Sequence, residues 1–150
     1  MQRKIGLKRS GFKKKTAKKT TAKKRRVRSP MQKAKDKLWD ECRRIIKNRY
    51  GNVCYTCYAL GLEKSNWQTG HFIPSSICSV AMRYDLANLR PQCMQCNIHK
   101  SGNWVEYEKH LKLECGEDEP DRLKALNEAT KGMQYDILWY QEKLAEYKKL

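Results

Sequence analysis

No acidic side chain occurs before Asp36, and that absence organises the chain more than its total charge does. The 150 residues carry 33 Lys+Arg against 16 Asp+Glu, a formal net charge of +17. Sixteen of the basic residues fall in 1–35, which leaves 17 against 16 in 36–150. A uniformly basic globule is thereby excluded: a near-neutral body follows a cationic arm, the composition of a polyanion binder. Also lacking is any apolar run near the roughly 20 residues that a membrane span needs, and the first 35 residues have no apolar core of secretory type. No membrane partner is expected, and the chain is placed in the cytoplasm. Internal repeats are missing, and so is an even cysteine count. Seven cysteines cannot all pair with one another, and inside a cell they point to metal or free thiols rather than a disulfide framework.

What is present divides the chain in three. Residues 1–35 scatter Ile5, Leu7, Phe12 and Val27 without period among clusters of like charge, so the segment cannot bury enough surface to offset its ordering entropy. It reads as a disordered basic arm whose Lys13, Lys14, Lys15, Lys23, Lys24, Arg25 and Arg26 contact phosphates; the alternatives are a solubilising tail or a nuclear address. Residues 36–116 read as a compact core. It opens on a helix over 36–50, where Leu38, Trp39, Cys42, Ile45, Ile46 and Tyr50 recur at helical spacing before Gly51. Short extended segments follow at "WQTGHFIP" and "NLRPQC", joined by a loop over 75–87, and a helix through Trp104, Tyr107, Leu111 and Cys115 ends near Gly116. Residues 117–150 read as a helical region: an acidic turn at 117–121, a helix carrying Leu123 and Leu126 that breaks near Gly132, and a last helix. In that last helix Met133, Ile137, Tyr140, Leu144 and Tyr147 form an a/d seam of about two heptads, short of a coiled coil. Packing on its own chain is the favoured reading; a dimer contact is the alternative.

Cys54-x-x-Cys57 and Cys93-x-x-Cys96 are two tight turns, each able to aim two thiolates at one ion, so four sulfurs for a structural Zn²⁺ are predicted. The 35 residues between the pairs exceed the usual finger separation and must fold as an element of their own. Cys42, Cys78 and Cys115 lack such spacing and read as structural free thiols, and His110 reads as surface or packing.

Between and after the cysteine pairs stand Gly70-His71-Phe72-Ile73-Pro74, Asn88-Leu89-Arg90 and Asn97-Ile98-His99-Lys100-Ser101-Gly102-Asn103. A histidine at a strand end, an asparagine opening the next strand and a polar ligand at a helix start suit metal-assisted phosphodiester cleavage. His71 would deprotonate water, Asn97 would hold a divalent cation, Mg²⁺ or Mn²⁺, and Asn88 would hold His71 in register. Asparagine also favours caps and turns, so each of these residues has a plainer reading. Lys100 is expected at phosphate, although a solvated lysine is the simpler account.

The order GHFIP, NLRPQ and CMQCNIHK resembles the HNH (ββα-metal, His-Me finger) nucleases over about residues 54–103. The resemblance implies an α+β fold with a zinc-stapled ββα-metal core and flanking helices, with His71 as general base, Asn88 as the middle asparagine and Asn97 as a ligand of the catalytic metal. Gly70 departs from the family, which commonly has a metal-binding aspartate there; either His99 completes the coordination or water does. Over most of the body, "GHF" and "LRPQCMQCNIHKSGN" resemble the phage NinG (Rap) family of recombination endonucleases. That implies catalysis on branched DNA such as Holliday junctions and D-loops, in the cytoplasm of a bacterial host. Paired incisions would call for a homodimer, at least on the DNA. Two competing functions remain at this level: an HNH nuclease acting on linear duplex, and a non-catalytic zinc module that binds nucleic acid through the arm.

Overall fold

The computed structural model describes residues 27–150. The disorder expected of the arm, and its seven phosphate-binding candidates from Lys13 to Arg26, lie outside the described residues. Helix α1 spans Pro30–Tyr50. Ser29 caps it, its Oγ accepting from the Gln32 N–H at 3.2 Å, and Pro30 sits in the first turn, where a missing N–H costs nothing. The helix therefore starts inside the segment read as arm, and residues 30–35 belong to the folded body. Ala34, Leu38, Cys42, Ile45 and Ile46 form its buried face.

Two antiparallel strands make the sheet: β1 (Trp67–His71) and β2 (Leu89–Cys93), in register from Trp67 opposite Cys93 to His71 opposite Leu89. Because opposed residues share a face, Trp67, His71, Leu89 and Cys93 point one way, and Gln68, Gly70, Arg90 and Gln92 the other. The first face meets α1: Trp67, Leu89 and Cys93 join Leu38, Cys42 and Ile46 in one core. The second face turns to helix α3 (Trp104–Cys115), where the Arg90 guanidinium pairs with Glu114 at 3.0 Å.

The loop expected over 75–87 contains a five-residue helix, α2 (Val80–Tyr84), capped by Ser79. Beyond β2, which ends on Cys93, a π-helical turn, Gln95–His99, carries Cys96 and leads into a tight connection in which Ser101, Gly102 and Asn103 all have positive φ. Helix α4 (Glu119–Thr130) begins inside the stretch read as an acidic turn; Pro120 suits its first turn, and Glu119 and Asp121 there complement the helix dipole. A second core joins Phe72, Ile73, Met82, Tyr107, Leu111 and Leu123.

Helix α5 (Ile137–Tyr147) lies along α1. Tyr140 and Tyr147 are buried in the first core, Ile137 and Leu144 pack against it, and the Tyr147 hydroxyl donates to the Tyr84 carbonyl at 2.9 Å. The seam thus faces its own chain, as the favoured reading had it, and is not free to make a dimer contact; Met133 precedes the helix and is exposed. No helix among the described residues is long and apolar enough to cross a membrane.

Candidate functional site

The four cysteines of the two pairs converge, with their sulfurs all within 4.8 Å of one another. A tetrahedron with metal–sulfur arms of about 2.3 Å has edges of about 3.8 Å, and Cys57 Sγ to Cys93 Sγ measures 3.8 Å. Backbone N–H groups already point at the sulfurs: Cys93 N–H donates to Cys54 Sγ at 3.3 Å and Cys96 N–H to Cys93 Sγ at 3.4 Å. Burial raises the Cys54 thiol, but the Cys93 N–H and the Thr56 hydroxyl outweigh it and bring the group down to about 6. Burial and the neighbouring thiols push Cys57 up to about 12. One thiolate among crowded thiols is an arrangement that a divalent ion completes, so the site could hold a metal such as zinc. Cys42, Cys78 and Cys115 are free and stand outside it.

His71 ends β1 on the α1 side, where its ring stacks on Trp39 with centroids 5.3 Å apart and planes within 7°. Its Nε2 lies 3.1 Å from the Arg83 carbonyl oxygen. A carbonyl only accepts, so Nε2 carries the proton and Nδ1 is left with its lone pair, unpartnered among the described residues. Burial lowers its pKa to about 4, against only partial compensation from the carbonyl, and the imidazole is neutral at pH 7.

Asn88 fixes this arrangement. It is fully buried; its Oδ1 accepts from Ile73 N–H at 2.7 Å, and its Nδ2 donates to the carbonyls of Ile73 and Met82 at 3.3 and 3.0 Å. One amide therefore ties the segment after His71 to α2, whose Arg83 carbonyl holds the imidazole. Complete burial keeps Asn88 from touching a substrate, so its expected catalytic role is corrected to that of a positioning residue.

A cleft of about 570 Å³ runs past β1, lined by Trp39, Thr69, His71, Ser75, Asn97 and Gly102 among others. His71 and Asn97 are brought together there. Asn97 is held by Gln68, whose Oε1 accepts from Nδ2 at 2.7 Å, which leaves Asn97 Oδ1 as a free acceptor. No carboxylate lines this cleft. Among the described residues two buried side-chain oxygens lack a hydrogen-bond partner: Thr69 Oγ1, on a residue that lines the cleft, and Gln92 Oε1, on the opposite face of the sheet. His99 at the end of the π-turn and Lys100 just beyond it are exposed and line neither cleft that His71 borders, so the expectation that His99 joins Asn97 in holding a cation has no support in their placement. A groove on the other side of His71 is lined by Lys35, Asp36 and Arg83, two cations and one anion. His110 packs internally, its Nδ1 2.8 Å from the Tyr55 carbonyl.

The residues that sequence reasoning did not find are Trp39, Gln68 and Gln92. Trp39 looks like any other apolar residue of an amphipathic helix, and the two glutamines acquire meaning only through strand register.

Comparison with known proteins decides the family. A family model described as "Bacteriophage Lambda NinG protein" matches residues 1–150. The chain belongs to the NinG family. Proteins named ninG from Escherichia phage 933W and Enterobacteria phage H19B are 32% identical over 72 residues and 33% identical over 70 residues, which is 48% and 46% of this chain and 34% of each relative. The ninG protein of Salmonella phage P22 is 37% identical over 54 residues, 36% of this chain and 25% of the relative. The chain thus matches about a third or less of the length of these NinG relatives. No solved structure matches it.

Proposed function

We propose that this NinG-family chain is an endonuclease of the HNH (ββα-metal) type that cuts branched recombination intermediates, Holliday junctions and D-loops, by water attack on a phosphodiester. The observation that carries the reading is the imidazole of His71, clamped through Nε2 to the Arg83 carbonyl with Nδ1 unpartnered, in one cleft with Asn97. A general base must be neutral at working pH and fixed in tautomer, and His71 is both. Its Nδ1 takes the proton of the attacking water; stacking on Trp39 and the Asn88 tie keep the ring from turning away. Lys35 and Arg83 flank the ring and favour a phosphate there. A divalent cation, Mg²⁺ or Mn²⁺, held at Asn97 would supply charge for the developing phosphorane and the leaving oxygen. The four-cysteine centre carries no open position in this scheme and serves as a structural zinc site.

The branched substrate is proposed on the resemblance to the NinG family, and no residue of the cleft selects it. Resolving a four-way junction takes two incisions, and one cleft accepts one phosphate, so two copies must act, joined through a surface other than the seam of α5. Incubation with a labelled four-way junction and a matched linear duplex, with Mg²⁺, with Mn²⁺ and with EDTA, tests the whole reading. Preferential junction cutting that EDTA abolishes is expected. Equal cutting of linear duplex would indicate a duplex nuclease, and binding without cutting would leave a zinc-containing binding module.

A further inference from the structure

The geometry points to a second DNA contact on α1: we propose that Arg43, Lys47 and Lys64 hold backbone phosphates of the cleaved strand, about two to four nucleotides from the scissile one. The inference rests on the nuclease reading for the nature of its ligand. Further along the helix that borders His71 lies a groove of about 310 Å³, lined by Asp40, Arg43, Arg44, Lys47, Lys64 and Trp67. Four cations and one anion meet there, on a body whose 17 basic and 16 acidic residues otherwise balance. Glu41 takes up Arg44, at 2.7 Å, whereas Arg43, Lys47 and Lys64 pair with no carboxylate among the described residues. The groove along α3 is the contrast: Lys112 there reaches Glu108 and Glu117, and Lys124 reaches Glu108 and Asp121. Positive charge is neutralised from within on α3 and left open on α1, which is what an anionic ligand requires.

Two elements put this groove at the same distance from His71. Along α1, Asp36, Trp39 and Arg43 fall on one stripe, and Lys47 continues it one turn on. Trp39 stacks on His71 at one end, and the Lys47 ammonium lies 5.8 Å from the centre of the Trp67 ring at the other. The rise from Trp39 to Lys47 is about 12 Å. On the sheet, Trp67 and His71 are the two ends of β1 and face α1 together, about 13 Å apart. One strand of duplex DNA advances about 3.4 Å per nucleotide. A strand laid along α1 with one phosphate at His71 therefore brings later phosphates to Arg43 and then to Lys47. The floor of the groove is rigid, since Trp67 is buried and its Nε1 donates to the Gly51 carbonyl at 3.0 Å. Lys64 enters from the short 3-10 turn before β1 with a left-handed φ of 48°, which a lysine rarely adopts. The chain of the basic arm joins α1 at its opposite end, at Pro30, so cationic segments flank the cleft along the helix on both sides.

The test measures binding of the zinc-loaded full chain to a labelled four-way junction by fluorescence anisotropy over a salt series. Arg43→Gln with Lys47→Gln removes two unpaired charges from the groove, and Lys109→Gln with Lys124→Gln removes the same charge from α3. All four side chains are exposed, so circular dichroism and zinc content should match the wild type in both variants. The first variant should lower the slope of log affinity against log salt by about 1.8, and Lys64→Gln alone by about 0.9, one phosphate each. The α3 variant should leave the slope as it is. Position is read by replacing single phosphates of the cut strand with neutral methylphosphonates. Those about two to four nucleotides from the cut should weaken binding of the wild type and not of Arg43→Gln/Lys47→Gln. Unchanged slopes in the groove variants, a loss no larger than that of the α3 variant, or methylphosphonate sensitivity that Arg43→Gln/Lys47→Gln retains would overturn the assignment. The slopes need no cleavage: a chain that binds and cuts nothing fails the nuclease reading, and flattened slopes then keep the groove as a phosphate site. His71-dependent cutting with level slopes keeps the nuclease reading and loses the groove.

Discussion

His71 and Gly70 are neighbours in sequence and opposite in what they need, the one a fixed ring and the other no side chain at all. The histidine should titrate near 4 in the free protein, against an ordinary value of 6.5. Between those values the unfolded chain binds more protons than the folded one, so this group's contribution to stability falls as pH drops from 6.5 to about 4 and is constant below. Observation of the imidazole signals by NMR through pH 7 to 4 checks this; a midpoint near 6.5 would mean that the ring is solvated and not clamped. For Gly70→Ala, the added methyl must displace buried Gln92, an overpacking that costs typically about 1–3 kcal/mol. Chemical denaturation should register it, with the zinc content unchanged. His71, Asn97 and the four cysteines are legible in the sequence because chemistry dictates their type and their spacing is local. Gln92 is not legible, since its packing against Gly70 exists only where β2 lies in register against β1, and the complete burial of Asn88 is not announced by its place in the sequence.

At the level of elements, periodicity finds the long helices because each buries one continuous face: α3 appears where apolar spacing puts it, whereas α1 begins earlier, at Pro30, and α5 begins only at Ile137, after Met133. Short elements escape it. Helix α2 has five residues, too few for a period, and is fixed by Ser79 and by the Asn88 amide rather than by propensity. The start of α1 at Pro30 carries a readable Ser-Pro cap that the charge pattern masks. Two predictions belong to this scale. Ile137→Asp with Leu144→Asp places carboxylates against the core that α5 shares with α1, and should lower stability by several kcal/mol, about 3–5. Sedimentation of the protein alone should show no change in association state, whereas dissociation of a dimer would return the seam to an intermolecular role. Cys93→Ser removes one sulfur of a centre whose zinc form is worth about 10–16 kcal/mol in small peptides, more than a domain's whole stability. Far-ultraviolet circular dichroism should show an unfolded core, and metal analysis one zinc lost per chain; a folded, zinc-free variant would remove the metal centre from the account.

Across the whole molecule, charge is segregated: residues 1–35 hold sixteen basic side chains, and the remainder is nearly balanced. That asymmetry is legible in composition alone, while the cleft is not, because α1, β1 and the π-turn each lend one wall and no sequence pattern announces their meeting. A polycation that tracks phosphates releases counterions, and log affinity then falls with log salt by about 0.9 per phosphate neutralised. Deleting residues 1–26 leaves the Ser29 cap and α1 intact, and should flatten that salt dependence while weakening binding to junction and linear DNA alike. Fluorescence anisotropy over a salt series measures it; an unchanged slope would assign the arm another purpose.

The central claim is that a neutral, clamped His71 activates water at a phosphodiester. Its most direct test is single-turnover cleavage of a labelled four-way junction by the zinc-loaded wild-type protein and by His71→Ala, in Mg²⁺, at matched DNA occupancy. The account predicts that the variant keeps its zinc and its junction binding and loses about 10²–10⁴-fold in cleavage rate, the usual worth of a general base. Cleavage by His71→Ala at the wild-type rate would contradict it.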